Sequence, residues 1–556
     1  MRSPQLPTEA RGHGPGPRPG RGELLLLVAA LALHVLAGAW HVALPGPQYD
    51  ECLFVNAALG GVDDNFVAMR VFGVPVLVMP YIGALKAWLH APVFALFGVT
   101  PLTLRLPMIL VSAARVGLCW ALLRRLAGPR PAAVGLVLLA LDPSWTFAVR
   151  TDWGPTAIMG LCAALALVLY QRWLDSGRWT WLALLWLTLF AGMFDKLQFL
   201  WFVVALAVAV VVVHGRVLWT RARSGGAAFW GPTLPALLLL AAVVVRRVLP
   251  LMRDTPALGG MPEGMDRLRM LWRILVETLD GRSVQDFVFV NRAPVSSGAQ
   301  WLLAVAPLLL LAAWLEQRFR RRQPAGASPE GAVLLRWSAL LLLLALGQAV
   351  LAMATRQVGG AHHFQLVWPL PLLAAILAAA ALLTLRTTRG LVLVRPGLRG
   401  RSFLGLLLLV GAAGLLVGEA RTLLAYHAGL TTPGSIRPRL SPAIYELADR
   451  VEAEGCDLVV STDWGLHTQL FALAPADRRR RYADAWVLFK EQDIDARYGE
   501  GLLTGRTAFV LHADPYEEQA PARSRALAWL RERHPGGRVL RVPEADPLYE
   551  VWVVEP

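Results

Sequence analysis

Eleven runs of mainly apolar residues, separated by short polar connectors, dominate this chain. A helix needs about 20 apolar residues to cross a bilayer, and lipid offers no partner for unpaired backbone groups, so runs of this length must be helical. The runs cover residues 24–44, 101–123, 131–149, 155–174, 179–194, 197–214, 230–250, 299–316, 333–354, 366–385 and 403–418. The sequence therefore predicts an all-α polytopic membrane domain of about 11 transmembrane helices.

The charges are distributed as in a membrane protein. Apolar residues make up 56% of the 556 residues, charged residues only 17%, and the mean hydropathy is +0.49. The net charge of +15 would also suit a nucleic-acid-binding protein. The arginines, however, cluster in short connectors between apolar runs, namely Arg124 and Arg125, Arg216 to Arg223, Arg318 to Arg322, and Arg386 to Arg401. This is the positive-inside pattern, and it argues against nucleic acid as a partner.

The basic connectors also set the predicted orientation. Residues 1–22 are rich in Gly, Pro and Arg, and we expect a disordered segment on the cytoplasmic side. The domain at 23–423 then crosses the membrane, with long outer loops at 45–100 and 251–298. The apolar stretch 71–98 is interrupted by prolines, and counting it as a span would move most basic connectors outside. We therefore predict an interfacial or re-entrant helix there, on the outer surface.

Residues 424–556 are more charged and mixed in composition. Strand and helix patterns alternate in this segment, which predicts a small α/β soluble domain outside the membrane. The expected elements are helices at 442–454 and 521–533 and strands at 457–461, 507–512, 538–542 and 548–554. The tetrapeptide TDWG occurs at 151–154 and at 462–465, and without a longer repeat around it we interpret the recurrence as coincidence. A disulfide between Cys52 and Cys456, both on the predicted outer side, stays an open alternative.

Ionisable residues at the outer ends of the helices are the first candidates for a functional site, because charges at membrane depth are costly. Asp50 and Glu51 follow the first predicted helix within a few residues and lead into an apolar segment. A carboxylate held there can meet both a lipid phosphate and a water-soluble group. The alternative is that both are solvated loop charges.

Three later segments place further polar residues on the same predicted side. Asp152 precedes a helix start, so it either caps that helix or has a functional role. Lys196 lies between two apolar runs, where it either snorkels or binds an anionic headgroup. Arg356, His362 and His363 precede the tenth run. With no third ligand nearby, a zinc site is less favoured than hydrogen bonds to phosphate or sugar.

These segments together resemble a known enzyme family. YDECLFVNAALGG, beginning at Tyr49, resembles the acidic first-loop motif of the GT-C glycosyltransferases, and especially of glycosyltransferase family 39. That family includes protein O-mannosyltransferases and lipid A aminoarabinose transferases. VFALFGVTPLTLRLP, the Asp152 segment, the Lys196 segment and HHFQLVWPLPLL resemble its later landmarks in the same order. The resemblance covers residues 23–420, and the tail resembles no family that we recognise.

The resemblance implies a polyprenyl-phosphate-linked sugar as donor. It implies Asp50 as the catalytic carboxylate and Asp152 as the second acidic position. Lys196, Arg356, His362 and His363 would be donor-phosphate or sugar contacts. One departure stands out: relatives often carry a basic residue directly before a proline of the first loop, whereas this chain has Val74 before Pro75.

A sugar on a lipid phosphate already has a good leaving group, so the protein must supply a base, cations for the departing phosphate and alignment. We expect Asp50 to be the base and Glu51 to support it or bind sugar. No cofactor is required, although a divalent metal ion stays an open option.

The sequence thus predicts an inverting membrane glycosyltransferase, a GT-C enzyme of the cytoplasmic membrane. Its active site would face outward, and its partners would be membrane lipid and an acceptor glycan, lipid or protein. The first alternative is a transporter or lipid flippase, for which duplicated halves and midplane polar residues would be typical. The second is a non-catalytic envelope scaffold, in which the carboxylates and Lys196 would be replaceable.

Overall fold

The computed structural model describes residues 18–254, 262–321, 328–355, 358–387, 398–491, 505–517 and 520–555. Each of the eleven predicted apolar runs corresponds to a helix or a bent helix pair. In chain order the helices of the membrane domain are α1 (Arg21–Ala39), α2 (Tyr49–Cys52), α3 (Val55–Ala58), α4 (Leu85–Phe97), α5 (Pro101–Ala127), α6 (Pro129–Leu141), α7 (Pro143–Arg150), α8 (Ala157–Ser176), α9 (Trp179–Asp195), α10 (Leu200–Ser224), α11 (Gly226–Val243), α12 (Leu249–Asp254), α13 (Gly264–Leu279), α14 (Arg282–Val288), α15 (Leu302–Arg321), α16 (Pro329–Ala354), α17 (Leu370–Thr387) and α18 (Leu398–Thr431).

Length and composition separate the spanning candidates among these helices. Within the described residues, eight helices are long and apolar enough to cross a membrane, and the pair α6 and α7, bent by 46°, makes a ninth if it is one span. The two remaining predicted runs form the shorter apolar helices Trp179–Asp195 and Leu370–Thr384. The predicted all-α membrane domain with a small soluble domain at its C-terminal end is confirmed.

The helix boundaries follow capping chemistry that is visible in the sequence. Thr100 precedes α5, and its hydroxyl accepts a hydrogen bond from the Thr103 N–H at 3.2 Å. Pro101, whose fixed φ suits a helix start, follows it. Gly128 ends the helix with a φ of 85°, which a residue with a Cβ rarely adopts. These signals predict the helix ends without any tertiary information.

Two ion pairs and the candidate site residues lie at opposite ends of the membrane helices. At one end Arg124 pairs with Glu23 at 2.5 Å and Arg125 pairs with Asp175 at 2.8 Å. These pairs join the start of α1 to the last turns of α5 and α8. Asp50 and the other candidate site residues of the described chain lie at the helix ends opposite to these pairs. This arrangement agrees with the predicted alternation of the helices.

The segment 71–98 differs from the prediction. Residues 69–83 form a three-stranded antiparallel sheet of β1 (Met69–Val71), β2 (Val74–Met79) and β3 (Ile82–Gly83), and only α4 is helical. The predicted helix is therefore wrong for residues 71–83. Alternate valines favour a strand, and Phe72 and Gly73 both have positive φ (49° and 81°), as a two-residue hairpin turn requires.

The tail forms the predicted α/β domain. Its helices are α19 (Ala443–Ala453), α20 (Leu466–Leu473), α21 (Trp486–Glu491) and α22 (Ala520–Arg533), and its strands are β4 (Leu458–Ser461), β5 (Tyr482–Asp484), β6 (Thr507–His512), β7 (Arg538–Val542) and β8 (Tyr549–Val554). The strand order is β5-β4-β6-β8-β7, with the first three strands parallel. All the predicted helices and strands of the tail are present to within one residue at each end. However, α18 continues to Thr431, so the boundary expected after residue 423 falls inside a helix.

The tail packs directly against the first outer loop. A single apolar core joins Cys52, Leu53, Phe54 and Val55 of the loop to Ile444, Leu447, Leu466 and Leu470 of the tail. The Gly46 N–H donates to the Leu440 carbonyl at 2.7 Å, and the Gln469 side chain donates to the Pro47 carbonyl, also at 2.7 Å. All four cysteines of the chain are buried and none forms a disulfide, Cys52 and Cys456 included. The loop that carries Asp50 and the tail therefore form one structural unit.

Candidate functional site

A cavity of about 850 Å³ lies where the first loop, the tail and the helix ends opposite the basic connectors meet. It is lined by both apolar and polar side chains, as is typical of small-molecule sites. The polar and aromatic lining residues include Tyr49, Asp50, Tyr81, Trp153, Lys196, Gln198, His362, His363, Trp464 and His512. Four of the seven predicted site residues, Asp50, Lys196, His362 and His363, thus line one cavity.

Asp50 sits on α2, a single helical turn fixed by its first residues. The Gln48 side chain accepts from the Glu51 N–H at 3.2 Å, which caps the turn. The Asp50 carboxylate accepts a hydrogen bond from the Gly154 N–H at 2.9 Å. Burial raises the pKa of the Asp50 carboxyl, and Lys196 and the Gly154 N–H partly oppose this rise. Asp50 is therefore a more basic carboxylate than an exposed aspartate, next to a cation.

Lys196 lies at the break between α9 and α10. Its side chain is 6% exposed, and its Nζ donates to the Gly154 carbonyl at 2.7 Å. Burial lowers the pKa of the Lys196 ammonium. Three nearby carboxylates oppose this decrease, and Asp50 has the largest effect of the three. One peptide residue, Gly154, therefore bonds the carboxylate through its N–H and the lysine through its carbonyl. This arrangement holds opposite charges at fixed positions on the cavity wall.

Asp152 does not line the cavity in the described structure. One of its carboxylate oxygens lies 2.8 Å from Nζ of Lys86, and the other accepts from the Thr156 and Ala157 N–H groups at 2.9 and 3.0 Å. It therefore caps the start of α8 and anchors α4. The predicted direct catalytic role does not fit this placement. Asp152 instead fixes the turn that presents Gly154 to the cavity.

Of the two roles predicted for Glu51, the structure bears on sugar binding. Its carboxylate receives two hydrogen bonds from the Arg105 guanidinium, at 3.0 and 2.7 Å, and one from the Gln48 N–H at 2.6 Å. Both ionic side chains are almost fully enclosed, at 2% and 1% exposure, and Glu51 does not line the cavity. Sugar binding by Glu51 would require this bidentate pair to break, so we interpret Glu51 as a structural support of the loop that carries Asp50.

The two histidines line the cavity beside Trp153. The rings of His362 and His363 lie 4.0 Å apart, and that of His362 lies 5.4 Å from the Trp153 ring. Burial holds the pKa of His362 well below its usual value, and it lowers the pKa of His363 to about 3. Both rings are therefore neutral at pH 7, and His362 Nδ1 has no hydrogen-bond partner within the described chain. Such a ring can donate one hydrogen bond to a ligand.

Two further predictions concern the same region. Arg356 lies outside the described residues, so its place relative to the cavity stays a prediction. No group of three or more His, Cys, Asp or Glu side chains in the described parts of the chain could hold a metal ion.

Several residues in or beside the cavity were not identified from the sequence. Lys86 lies in the apolar stretch 71–98 and does not line the cavity, but it is 2% exposed and pairs with Asp152, which fixes the turn at Gly154. It supplies a buried cation in the first loop, in which Val74 replaces the basic residue of the family pattern. Trp464 and His512 of the tail also line the cavity. The second TDWG copy, dismissed as coincidence, was the one sequence signal that pointed to Trp464.

Comparisons with known proteins agree with the motif analysis. A family model described as dolichyl-phosphate-mannose-protein mannosyltransferase matches residues 83–245. No curated protein sequence matches the chain. Among solved structures, ArnT from Cupriavidus metallidurans in the apo state is 14% identical over 96% of this chain and 98% of its own, with a TM-score of 0.45.

The same ArnT bound to undecaprenyl phosphate is 16% identical over the same shares, with a TM-score of 0.44. The archaeal oligosaccharyltransferase AglB from Archaeoglobus fulgidus, in complex with an inhibitory peptide and a dolichol-phosphate, is 12% identical over 88% of this chain and 69% of its own, with a TM-score of 0.44. These identities and TM-scores are too low to assign residue roles by superposition. The family-model match over residues 83–245, however, agrees with the resemblance to family 39 given by the motifs and supports the prediction of a membrane glycosyltransferase of the GT-C type.

Proposed function

We propose that the protein transfers a sugar from a polyprenyl-phosphate donor to an acceptor hydroxyl, with inversion at the sugar and with Asp50 as general base. The observation that carries this proposal is that Asp50 and Lys196 both bond to Gly154 and line one cavity at the helix ends. A base and a cation at fixed positions are what displacement of a lipid phosphate requires.

The reaction is a single displacement at the anomeric carbon. The acceptor oxygen forms a bond to the anomeric carbon while the bond from that carbon to the phosphate oxygen breaks, and the acceptor proton passes to Asp50. Burial raises the pKa of Asp50, which strengthens it as a base. Lys196 stabilises the charge that grows on the departing phosphate, together with hydrogen bonds from His362 and His363. A buried cation acts strongly here because little water screens it.

The cavity wall supports a lipid-linked donor. Leu200 and Trp201 of α10 line one side, and Val248, Leu251 and Met252 line the segment from α11 to α12. Met252 is 67% exposed, so this apolar wall continues onto the outer surface of the helices. A polyprenyl chain can follow that surface while its phosphate reaches Lys196.

The distribution of charge supports an outward-facing active site. Among the described residues, Arg124, Arg125 and Arg216 to Arg223 lie at the helix ends opposite to the cavity, and basic connectors remain on the cytoplasmic side of a membrane. We therefore propose that the cavity and the tail lie at the outer face of the cytoplasmic membrane. A phosphatase reporter that is active only outside the cytoplasm tests this placement. It should be active when fused after Pro556 and silent when fused after Arg322. The opposite pair of results would contradict the placement.

The decisive experiment measures transfer by purified protein from tritium-labelled undecaprenyl-phosphate sugars to envelope fractions of cells that lack the protein. Asp50→Asn keeps the shape of the side chain but removes the base. General-base catalysis contributes about 10²–10⁴-fold, so turnover should fall at least 100-fold. Donor affinity should change little, since no cation is removed. Lys196→Ala should instead weaken binding of undecaprenyl phosphate.

Asp64→Asn provides the matched control. Asp64 lies in the same loop with a fully exposed side chain, 3.9 Å from Arg70, and does not line the cavity. This variant should retain wild-type turnover. A folded Asp50→Asn protein with near-native turnover would remove the base from the mechanism. Transfer to no fraction by the wild-type protein would favour a transporter or a scaffold.

A further inference from the structure

The carboxyl ends of the parallel strands in the tail point at the cavity. β4 and β6 are parallel neighbours, with Ser461 paired to Val510. Asp463 and Trp464 follow the end of β4, and His512 is the last residue of β6. Trp464 and His512 both line the cavity. In sheets with parallel strands, loops at the carboxyl ends form the common position for ligand sites.

One buried carboxylate orients both of these lining residues. An oxygen of Asp463 lies 2.7 Å from Nδ1 of His512, and the side chains are 0% and 3% exposed. The other oxygen accepts from the Trp464 N–H at 2.7 Å. An Nδ1–H that donates to a carboxylate fixes the orientation of the imidazole and leaves Nε2 as its remaining polar atom. Asp463 therefore acts on the cavity through its two neighbours.

Trp464 brings the tail next to the candidate base. Its ring lies 4.3 Å from the ring of Tyr49, tilted by 33°, and Tyr49 directly precedes Asp50. Gly465 has a φ of 90°, a conformation that favours glycine, where the chain turns from Trp464 into α20. Trp464 is partly exposed, so its indole presents an open aromatic surface to the cavity. An aromatic face and a histidine thus border the cavity close to Asp50.

We propose that Trp464 and His512, oriented by Asp463, form the acceptor subsite, and that the acceptor is a sugar unit of a glycan or a glycolipid headgroup. This rests on the glycosyl transfer proposed above. A sugar ring has an apolar C–H face, which packs on an indole, and hydroxyl groups at its edge, which bond to Nε2 of His512. A peptide acceptor is less favoured, because β4 and β6 are paired on both sides and offer no free strand edge for an extended chain.

The test identifies the acceptor fraction first and then compares variants. Labelled undecaprenyl-phosphate sugars are incubated with the free glycan, glycolipid and protein fractions of envelopes from cells that lack the protein. Label in glycan or glycolipid supports the proposal and distinguishes the two sources. Label only in the protein fraction overturns it. The absence of transfer in every fraction would refute the proposed function itself, together with any acceptor subsite.

The variants separate acceptor binding from folding. His512→Ala should raise KM for the labelled acceptor about fivefold to tenfold, the effect of one lost hydrogen bond, and leave binding of undecaprenyl phosphate unchanged. Trp464→Ala should raise the same KM, and Trp464→Phe should partly restore it because an aromatic face returns. Asp463→Asn should raise KM less than His512→Ala, since it disorients the ring without removing it.

His534→Ala makes the same change just after α22 in the same domain, away from the cavity lining, and serves as the control. Its kinetics should match those of the wild type. If His512→Ala lowers the melting temperature but leaves KM for the acceptor at the wild-type value, the Asp463–His512 pair only joins two strand ends, and the subsite is refuted. A loss of kcat at unchanged KM would likewise remove His512 from acceptor binding.

Discussion

Substitution of Glu51 tests whether the second carboxylate of the first-loop motif is structural or catalytic. Arg105 makes two hydrogen bonds to Glu51 and three to the carbonyls of Val42, Pro45 and Gly46, between 2.6 and 3.1 Å. The guanidinium therefore fixes the conformation of the chain segment between α1 and α2 by hydrogen bonds to its carbonyl groups. Breaking a buried ion pair by removing one partner costs about 3–5 kcal/mol, because a charge is left uncompensated.

The individual variants should differ in a defined order. Glu51→Gln keeps an acceptor oxygen and loses the charge, so we expect a loss of about 3 kcal/mol in the free energy of unfolding. Arg105→Met leaves the buried carboxylate and three carbonyls without their donor, so it should cost more, about 5 kcal/mol. The double variant Glu51→Leu with Arg105→Met should be more stable than the sum of the single changes predicts, because neither charge remains buried.

The assay combines unfolding with kinetics on the same detergent-solubilised samples. Titration with SDS gives the free energy of unfolding, and transfer from the labelled donor gives turnover per folded molecule. Glu51→Gln should keep turnover within about threefold of wild type, whereas Asp50→Asn should lose at least 100-fold. A Glu51→Gln protein as stable as the wild type but 100-fold slower would refute the structural interpretation and return Glu51 to the reaction.

Three further variants test the site and the tail. Turnover should fall as pH drops through the raised pKa of Asp50, because only the carboxylate accepts a proton, and Lys196→Ala should move this limb of the pH–rate profile to higher pH. Gly154→Ala should lower turnover at least tenfold while the fold persists, because an added Cβ collides with His362 and Gly154 has a φ of 71°; wild-type kinetics would contradict this. Burial raises the pKa of Asp484 to about 7, so its protonated form favours folding, and this stability is complete below about pH 4 and lost as pH rises to 7. In the wild type, the loss between pH 5 and pH 8 amounts to about 2 kcal/mol in the free energy of unfolding, after allowing for partial exposure. Asp484→Asn should remove this loss, so that the melting temperature at pH 8 approaches that at pH 5. An unchanged pH dependence would exclude this carboxyl as its source.

Local sequence determines most of the secondary structure, because the strongest signals are local. The membrane helices follow from length and hydropathy, since a helix satisfies its backbone hydrogen bonds within one continuous apolar segment. The ends of α5 follow from Thr100, Pro101 and Gly128. The tail strands follow from short apolar runs between turn residues, as at Thr507–His512. The hairpin at 69–79 was missed because apolar content was given more weight than the alternating valines and the Phe72–Gly73 turn.

The site was only partly predictable, because its remaining contacts join distant parts of the chain. Position after a spanning helix identified Asp50, and position in a break between apolar runs identified Lys196. No local pattern shows that Glu51 meets Arg105, which lies 54 residues away. Similarly, nothing in the first loop indicates that Trp464 packs on Tyr49. Such pairs depend on how α5 and the tail pack against the first loop.

The two TDWG segments show why a short motif can specify local geometry without specifying a chemical role. In both copies the aspartate accepts backbone N–H bonds, from Thr156 and Ala157 in the first and from Trp464 in the second. In both, the glycine has a positive φ, and the tryptophan and glycine line the same cavity. The remaining partner of each aspartate differs, being Lys86 for Asp152 and His512 for Asp463. The four residues therefore encode a turn that presents an aromatic ring and an open backbone to a ligand. The tertiary partner then determines whether that turn serves the proposed base, Asp50, or the proposed acceptor subsite.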